Sequence, residues 1–194
     1  MIQSKEDFKR YLDMDRFAYN TDRKHPKLIG DDIWKFLIVL RKHEYYTNVR
    51  KDIRAKFIRR YYAFRHYRLG KKLGLEIPIN SCGGGLKLFH TGNIVINSSV
   101  RVGEWCSILQ GVTIGQGMMP DDIPVVGDNV IILAGAKLFG KIVIGDDVMI
   151  GANAVVNKSF PDGHCRIAGV PAKIISNEGN VWVNGRNIVE NCNK

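Results

Sequence analysis

The stretch VRVGEWCSILQGVTIGQG, residues 100–117, has an aliphatic residue at every sixth position, namely Val102, Ile108 and Ile114. Neither regular structure has this period, because an α-helix repeats its buried face about every 3.6 residues and a strand about every 2. Each short run fits a strand, since six is a multiple of two, but the whole stretch exceeds the usual length of one strand. The chain must therefore turn at regular intervals.

The same phase continues through most of the second half of the chain. Three hexads would close one triangular coil, whose inward side chains stack on those of the next coil about 4.8 Å away. Gly or Asn often follows the aliphatic residue, and both tolerate the positive φ of a tight corner. The pattern predicts a β solenoid and disfavours a β-sandwich. The aliphatic positions are Ile96, Val102, Ile108, Ile114, Val126, Ile132, Leu138, Ile144, Ile150 and Val156.

The first part of the chain has a helical pattern instead. Residues 31–46 begin with acidic residues and then place apolar residues on one side, which is typical of a helix. These residues are Ile33, Phe36, Leu37 and Leu40. Residues 48–69 predict a second, longer helix that would end near a cap at Gly70.

This change of pattern divides the chain into three predicted parts. Residues 1–72 form an N-terminal helical region, 73–175 the β-helix domain and 176–194 a C-terminal tail. The helical region is expected to cover the first coil and so protect its free edge.

Positive charge is concentrated in one segment of a chain whose formal net charge is +10. Residues 50–72 contain ten Lys or Arg and one Asp. Apolar residues recur there at spacings of four and three, at Ile53, Phe57, Tyr61 and Phe64, which favours a basic amphipathic helix. A phosphate-bearing ligand, a peripheral contact with an anionic membrane, and nucleic acid remain open as partners, although nucleic acid is not expected.

The composition argues against a secreted or membrane-spanning protein. No run approaches the roughly 18 apolar residues of a membrane span, and the charged start is not that of a signal peptide. We therefore expect a cytoplasmic protein with free thiols at its four cysteines. No metal site is predicted, because His164 and Cys165 are the only neighbouring pair of Cys and His ligands.

Several stretches resemble the hexapeptide acyltransferases. They are YRLGKKLGLEIP (67–78), LFHTGNIVIN (88–97), VGEWCSILQGVTIG (102–115), VVGDNVIILAGAKLFGKIVIGDDVMIGANAVV (125–156) and IAGVPAKII (167–175). The resemblance is narrowest to serine acetyltransferases and the related polysaccharide O-acetyltransferases. It implies a left-handed parallel β-helix and a homotrimer, with acetyl-CoA as co-substrate in a groove between neighbouring solenoids.

The resemblance also implies site residues. His90 matches the catalytic histidine, and counting six back from Ile96 places it at an inward position. The residues that match the cofactor groove are Gly115, Ala134, Ala152, Pro171 and Lys173. Gly92 and Gly115 are candidates for holding an oxyanion through their N–H groups. A cysteine nucleophile is the alternative, but no base for it is visible in the sequence.

The chain departs from the serine acetyltransferase pattern at two places. Phe89 replaces the Asp that precedes the catalytic histidine, and Asp122 and Ile123 replace an Arg-His pair in a protruding loop. The missing groups would bind the ammonium and carboxylate of serine. We therefore predict an O-acetyltransferase acting on a sugar hydroxyl of a polysaccharide or its precursor. Asp121 and Asp122 are candidates for binding the sugar hydroxyls or for orienting His90 from a neighbouring chain, and a solvated acidic loop is the alternative.

Two other functions remain open. Serine O-acetylation is the first, and a non-catalytic scaffold whose basic helix binds an anionic partner is the second.

Overall fold

The computed structural model describes residues 1–183 and 186–187, with only the backbone described beyond Val181. Three helices come first, followed by short strands that wind into a β-helix. The helices are α1 (Lys5–Ala18), α2 (Asp32–Asn48) and α3 (Ile53–Leu73). The predicted boundaries at 72 and 175 stay a prediction, and part of the predicted tail lies outside the described residues.

Most strands are only two or three residues long, because a corner follows each wall of the coil. They are β1 (Leu75–Glu76), β2 (Lys87–Leu88), β3 (Ile94–Ile96), β4 (Arg101–Val102), β5 (Ser107–Ile108), β6 (Thr113–Gly115), β7 (Val125–Val126), β8 (Ile131–Ile132), β9 (Lys137–Phe139), β10 (Val143–Ile144), β11 (Val148–Ile150), β12 (Val155–Val156), β13 (Cys165–Gly169), β14 (Ala172–Ser176), β15 (Trp182–Val183) and β16 (Arg186–Asn187).

Three parallel sheets form the walls of the solenoid. The first contains β1, β3, β6, β9 and β12, the second β4, β7 and β10, and the third β2, β5, β8, β11 and β13, with β14 added antiparallel to β13. The predicted inward positions pair in register, as in Val102↔Val126 and Ile108↔Ile132. Both pairs are buried, so the period of six is confirmed as the repeat of a coiled, three-walled core.

The helix predicted over 31–46 is confirmed as α2. Its apolar side enters the core through Phe36, Leu37 and Leu40, which have no exposed surface. The predicted cap of the next helix is wrong, because α3 continues to Leu73 and Gly74 provides the left-handed C-cap, with φ 67°. Gly70 instead lies inside α3, where an added Cβ would stand 2.6 Å from the carbonyl oxygen of Leu75.

The basic segment folds as the predicted helix, but its apolar stripe faces outward. Phe57 and Phe64 are 71% and 59% exposed, and Ile53 and Tyr61 are exposed as well. The helix packs instead through its other side, where Ala55, Gly70 and Leu73 are buried. Amphipathic spacing therefore predicted the helix correctly but not which side would be covered.

Side chains of α1 and α2 cap the open end of the solenoid. Arg41 has no exposed surface and donates hydrogen bonds to the carbonyl oxygens of Cys82 and Gly83, at 2.9 and 2.5 Å. Its guanidinium also pairs with Asp15 at 2.9 Å and with Glu44 at 3.1 Å. The first coil has no earlier coil whose strands could hydrogen-bond to its backbone carbonyls. The guanidinium of Arg41 donates those hydrogen bonds instead.

The acidic partners of Arg41 bind the same free edge. Asp15 accepts a hydrogen bond from the N–H of Leu86 at 3.0 Å, and Glu44 accepts one from the N–H of Asn80 at 2.8 Å. Tyr19 donates its hydroxyl to the carbonyl of Leu88 at 2.6 Å. Side chains of the helices thus hydrogen-bond to both N–H and carbonyl groups at the free edge of the first coil.

We expect Arg41→Met to lower the free energy of unfolding by about 3–5 kcal/mol, because it leaves two buried carboxylates without their cation. The control is Arg10→Met, which breaks the exposed pair of Arg10 with Glu104 and should cost at most about 1 kcal/mol. Urea denaturation of both variants measures the difference. If both variants lost the same free energy of unfolding, the proposed role of Arg41 in capping the solenoid would be contradicted.

Two histidines meet where α2 packs on α3. The Nδ1 atoms of His43 and His66 lie 3.2 Å apart, a contact that needs at least one neutral ring because two N–H groups cannot share it. Burial, and then the neighbouring His43, lowers the pKa of His66 to about 4. Burial and the nearby Arg59 also lower the pKa of His43.

This pair predicts a loss of stability in mild acid. Between pH 6.5 and about 4 the unfolded chain binds a proton at residue 66 that the folded chain does not, so the free energy of unfolding should fall by up to about 3 kcal/mol. His66→Phe should flatten this slope, whereas His25→Phe, at an exposed site, should not. Urea denaturation at a series of pH values tests it, and a slope unchanged in His66→Phe would refute it.

Candidate functional site

His90 lies exposed at a corner of the first coil, and the predicted inward position is wrong. Leu88 is the buried residue that pairs with Ile108, twenty residues later, whereas Ile96 pairs with Ile114 at the usual eighteen. The corner between them is therefore two residues longer than the next one. This insertion moves His90 out of the core and onto the outer edge of the prism.

The corner of His90 is the first of a stack that runs along one edge, where the third sheet passes into the first. Hydrogen bonds join the successive corners. The N–H of Gly111 donates to Gly92 at 3.0 Å, that of Gly135 to Gln110 at 3.0 Å, and that of Asn153 to Ala134 at 2.8 Å. We refer to this row of corners, residues 89–93, 109–111, 133–135 and 151–153, as the histidine edge.

Four of the five predicted cofactor residues lie on or at the end of the histidine edge. Ala134 and Ala152 occupy equivalent places on it, one coil apart, and both are accessible to solvent. The N–H of Gly151 donates to Ile167 at 2.7 Å, so β13 passes beside this edge, and the hairpin turn that contains Pro171 follows β13. Lys173 is exposed on β14 directly after this turn. The part of the edge that carries Ala134 and Ala152 is thus lined by small side chains and ends beside a cation.

Gln110 also lies on this edge, and the sequence analysis missed it. It is exposed at the corner between those of His90 and Ala134. The signal was present, because Gln110 holds the place in its hexad that Ala134 and Ala152 hold in theirs. Its amide is the polar group of the next corner along the edge from His90.

Gly115 lies on a different edge, where the first sheet passes into the second. It ends β6 and pairs with Phe139. The loop 116–124 leaves the solenoid at this corner. One chain therefore does not bring Gly115 and the loop next to His90, because the width of the first sheet separates the two edges.

The two acidic residues predicted for substrate binding have partners within the protein. Asp122 accepts a hydrogen bond from the N–H of Met119 at 3.1 Å, which closes the turn of its own loop. Asp121 is exposed and pairs with Lys141 at 3.4 Å. These contacts support a structural role in the loop, and substrate binding stays a prediction.

No hydrogen bond or ion pair to the imidazole of His90 is present among the residues that the structure describes. The preceding Phe89 is half-buried, and the Nζ of Lys87 lies 4.8 Å from the centre of its ring. Gly92 cannot hold an oxyanion as expected, because its N–H donates to the carbonyl of Leu73 at 2.9 Å. That bond instead ties the corner to the end of α3.

The three cysteines within the described residues do not compete with His90 as the reactive group. Cys82, Cys106 and Cys165 are buried free thiols, and Cys192 lies outside the described residues. Burial raises the pKa of Cys82 to about 11 and that of Cys106 well above its usual value. A thiol held in its protonated form is a poor nucleophile.

Within residues 1–183 and 186–187, no three His, Cys, Asp or Glu side chains cluster in a way that could hold a metal ion. None of the helices in these ranges combines the length and the apolar character that crossing a bilayer requires.

A cavity of about 530 Å³ opens between α3 and the first coil. His43, His66 and Tyr67 line one side of it, and Asn93 and Val95 the other. It adjoins the far end of the His90 corner, but His90 itself is not among its lining residues.

Comparison with known proteins places this geometry in a family. The profile described as bacterial transferase hexapeptide (six repeats) matches residues 123–158. The serine acetyltransferase of Staphylococcus epidermidis is 33% identical over 182 residues, which cover 90% of this chain and 78% of that protein. The serine acetyltransferase of Staphylococcus xylosus is 36% identical over 153 residues, or 76% of this chain.

Solved structures agree with these matches. The serine acetyltransferase of Brucella abortus, determined in complex with coenzyme A, is 28% identical with a TM-score of 0.71, and the match covers 91% of this chain and 70% of that one.

The chain spans 64% of the length of the Staphylococcus xylosus relative and 78% of the Staphylococcus epidermidis one. The predicted left-handed parallel β-helix is confirmed by these relatives. Since the match to the Staphylococcus epidermidis protein extends over most of both chains, this chain belongs to the serine acetyltransferase family of hexapeptide-repeat transferases.

Proposed function

We propose that this protein transfers the acetyl group of acetyl-CoA to a hydroxyl group, with His90 as the general base. The observation that carries the proposal is the histidine edge. One exposed imidazole stands at the head of a row of corners, Ala134 and Ala152 present small side chains further along it, and Lys173 stands near its foot. The thin arm of coenzyme A needs such a path, and its phosphates need a cation.

The reaction requires a base because a hydroxyl group is a weak nucleophile at neutral pH. Neutral His90 accepts the proton of the acceptor hydroxyl as its oxygen attacks the thioester carbonyl. The carbon–sulfur bond then breaks, and the imidazolium returns the proton to the CoA thiolate. A base in contact typically accelerates such a step by about 10²–10⁴-fold.

The complete site is proposed to form between copies of the chain in a homotrimer. Within one chain the histidine edge and the edge that carries Gly115 and the loop 116–124 are separated by the first sheet. A neighbouring copy that packs its loop edge against the histidine edge would close a groove around the cofactor and bring partner groups to His90. Closed symmetry of this kind is usual for homo-oligomers.

L-serine is the first candidate for the acceptor. The relatives reported above are serine acetyltransferases, and the family assignment favours their acceptor over the sugar predicted from sequence. The cytoplasmic location inferred from the sequence stays part of this proposal.

A sugar hydroxyl is the second candidate, and the corner of His90 favours it. Phe89 offers no negative charge for an ammonium group, and the cation of Lys87 beside its ring would repel one. A site selects an acceptor strongly only when its own polar groups match those of the acceptor. Without a negative charge beside His90, the site gains no preference for the ammonium group of serine.

Thiol release from acetyl-CoA decides between these acceptors. We expect release to accelerate with L-serine and to remain near the background rate with a panel of hexoses and N-acetylhexosamines. If thiol release accelerates only with a sugar, the acceptor is a sugar hydroxyl and not L-serine. No release with any acceptor would refute the proposed activity and favour the scaffold function.

His90→Ala should lower kcat by about 10²–10⁴-fold, because the acceptor loses its base while the cofactor path is unchanged. The matched control is His164→Ala, an exposed histidine that pairs with Asp147 at a different edge of the solenoid. The control should retain activity. Steady-state kinetics of both variants measure the effect, and a fully active His90→Ala enzyme would rule out the mechanism.

Ala152→Trp should raise the KM for acetyl-CoA at least about tenfold, because a bulky side chain would block the histidine edge. Asp162→Trp adds the same bulk at an exposed position near another corner and should leave that KM unchanged. Varying acetyl-CoA at saturating acceptor gives both constants. If the two variants behave alike, the cofactor does not follow this edge.

A further inference from the structure

Helix α3 presents an uncovered aromatic face that the proposed reaction does not use. Its members recur at spacings of four and three along the helix: Ile53, Phe57, Tyr61, Phe64 and Tyr67. Ile53 is 75% and Tyr67 63% exposed. We call these five residues the aromatic face. A contiguous apolar patch of this kind usually marks an interaction site.

The orientation of the aromatic face is fixed by the contacts on the opposite side of α3. The ring of Tyr62 stacks on Tyr46 of α2 at 5.6 Å, and His66 meets His43. Phe57 and Phe64 stand five residues before and two after Tyr62, which places both nearly half a turn away from it. The aromatic face therefore cannot turn inward without unpacking α3 from α2.

Cations surround the aromatic face, and α3 contains no acidic residue. Its eight basic residues are Arg54, Lys56, Arg59, Arg60, Arg65, Arg68, Lys71 and Lys72. Some of these cations lie beside the aromatic rings. Arg68 is 5.8 Å from the ring centre of Phe64, and Lys71 is 5.8 Å from that of Tyr67. Any partner must accept apolar side chains and positive charge over the same area.

Charge argues against a second copy of this face as the partner. Two copies would bring together two rows of cations with no acidic residue in either helix to compensate them, and like charges across an interface are costly. Duplex nucleic acid would satisfy the cations but leave the aliphatic Ile53 and the phenylalanine rings without a matching surface, because its grooves present polar base edges. Single-stranded bases can stack on aromatic rings, but they would leave Ile53 without an apolar partner.

We propose that α3 docks on an anionic lipid bilayer. A helix whose one side carries aromatic and aliphatic residues among Lys and Arg lies in the plane of the membrane interface, with its rings in the acyl boundary and its cations on the headgroups. The long basic side chains beside the rings reach the headgroups by extending along the apolar surface. At about 1.5 Å per residue, α3 offers roughly 30 Å of contact.

Cosedimentation with vesicles tests the proposal. The full-length protein should sediment with vesicles of phosphatidylcholine that contain phosphatidylglycerol, but not with phosphatidylcholine alone, and high salt should release it. Phe57→Ser with Phe64→Ser should weaken this binding at least about tenfold, because the charge is kept while the inserted rings are lost. Both rings are exposed, so the fold should be unaffected, which circular dichroism checks.

A pair of charge variants provides the matched control. Arg60→Gln with Arg68→Gln should weaken binding about thirtyfold. Lys5→Gln with Lys9→Gln removes the same charge from exposed positions of α1 and should weaken it less than about threefold.

The proposal is overturned if the protein ignores anionic vesicles, or if the double phenylalanine variant binds them as well as the original. It is equally overturned if that variant changes the oligomeric state, which would make the face a contact between copies. Tight retention of a DNA oligonucleotide that is insensitive to the phenylalanine changes, without vesicle binding, would assign the cations to nucleic acid instead. None of these results depends on acetyl transfer.

Discussion

The buried guanidinium of Arg41 closes the open end of the solenoid, and the rest of the molecule is arranged around that closure. A parallel β-helix must start somewhere, and its first coil exposes peptide groups that every later coil pairs with a neighbour. Arg41 binds two of the exposed carbonyls, while Asp15 and Glu44 bind N–H groups and balance its charge. The helical region is therefore part of the solenoid's hydrogen bonding as well as its cover.

The first coil that the helices close is also the coil that carries His90. The end of α3 holds its corner through the bond from Gly92 to Leu73 and a second bond from Ile94 to Gly74, at 3.0 Å. An exposed corner with two extra residues would otherwise have few restraints. The position of the candidate base thus depends on the packing of helices whose own residues take no part in the proposed chemistry.

The period of six was enough to predict the three-walled core, because inward side chains must repeat with the coil. The same counting misplaced His90, since periodicity assumes a constant coil and the insertion lies between two aliphatic positions. The sequence did contain a signal of this insertion. The apolar pair Leu86 and Leu88, which is buried, stands two residues earlier than a constant period of six counted back from Ile96 would place it. The outward orientation of the apolar side of α3 and the burial of Gly70 could not be predicted. Residue spacing shows which residues share one side of a helix, but it does not show which side packs against the rest of the protein.

The closure at one end also has an evolutionary consequence. Among the described residues, Arg41, Asp15 and Glu44 make their hydrogen bonds to the solenoid only at the first coil, and the strands of later coils pair with those of the coils on either side. Duplication or deletion of an eighteen-residue unit further along the chain would leave both the closure and His90 in place. The length of the proposed cofactor groove would therefore change by whole coils, while the proposed reacting end stayed constant.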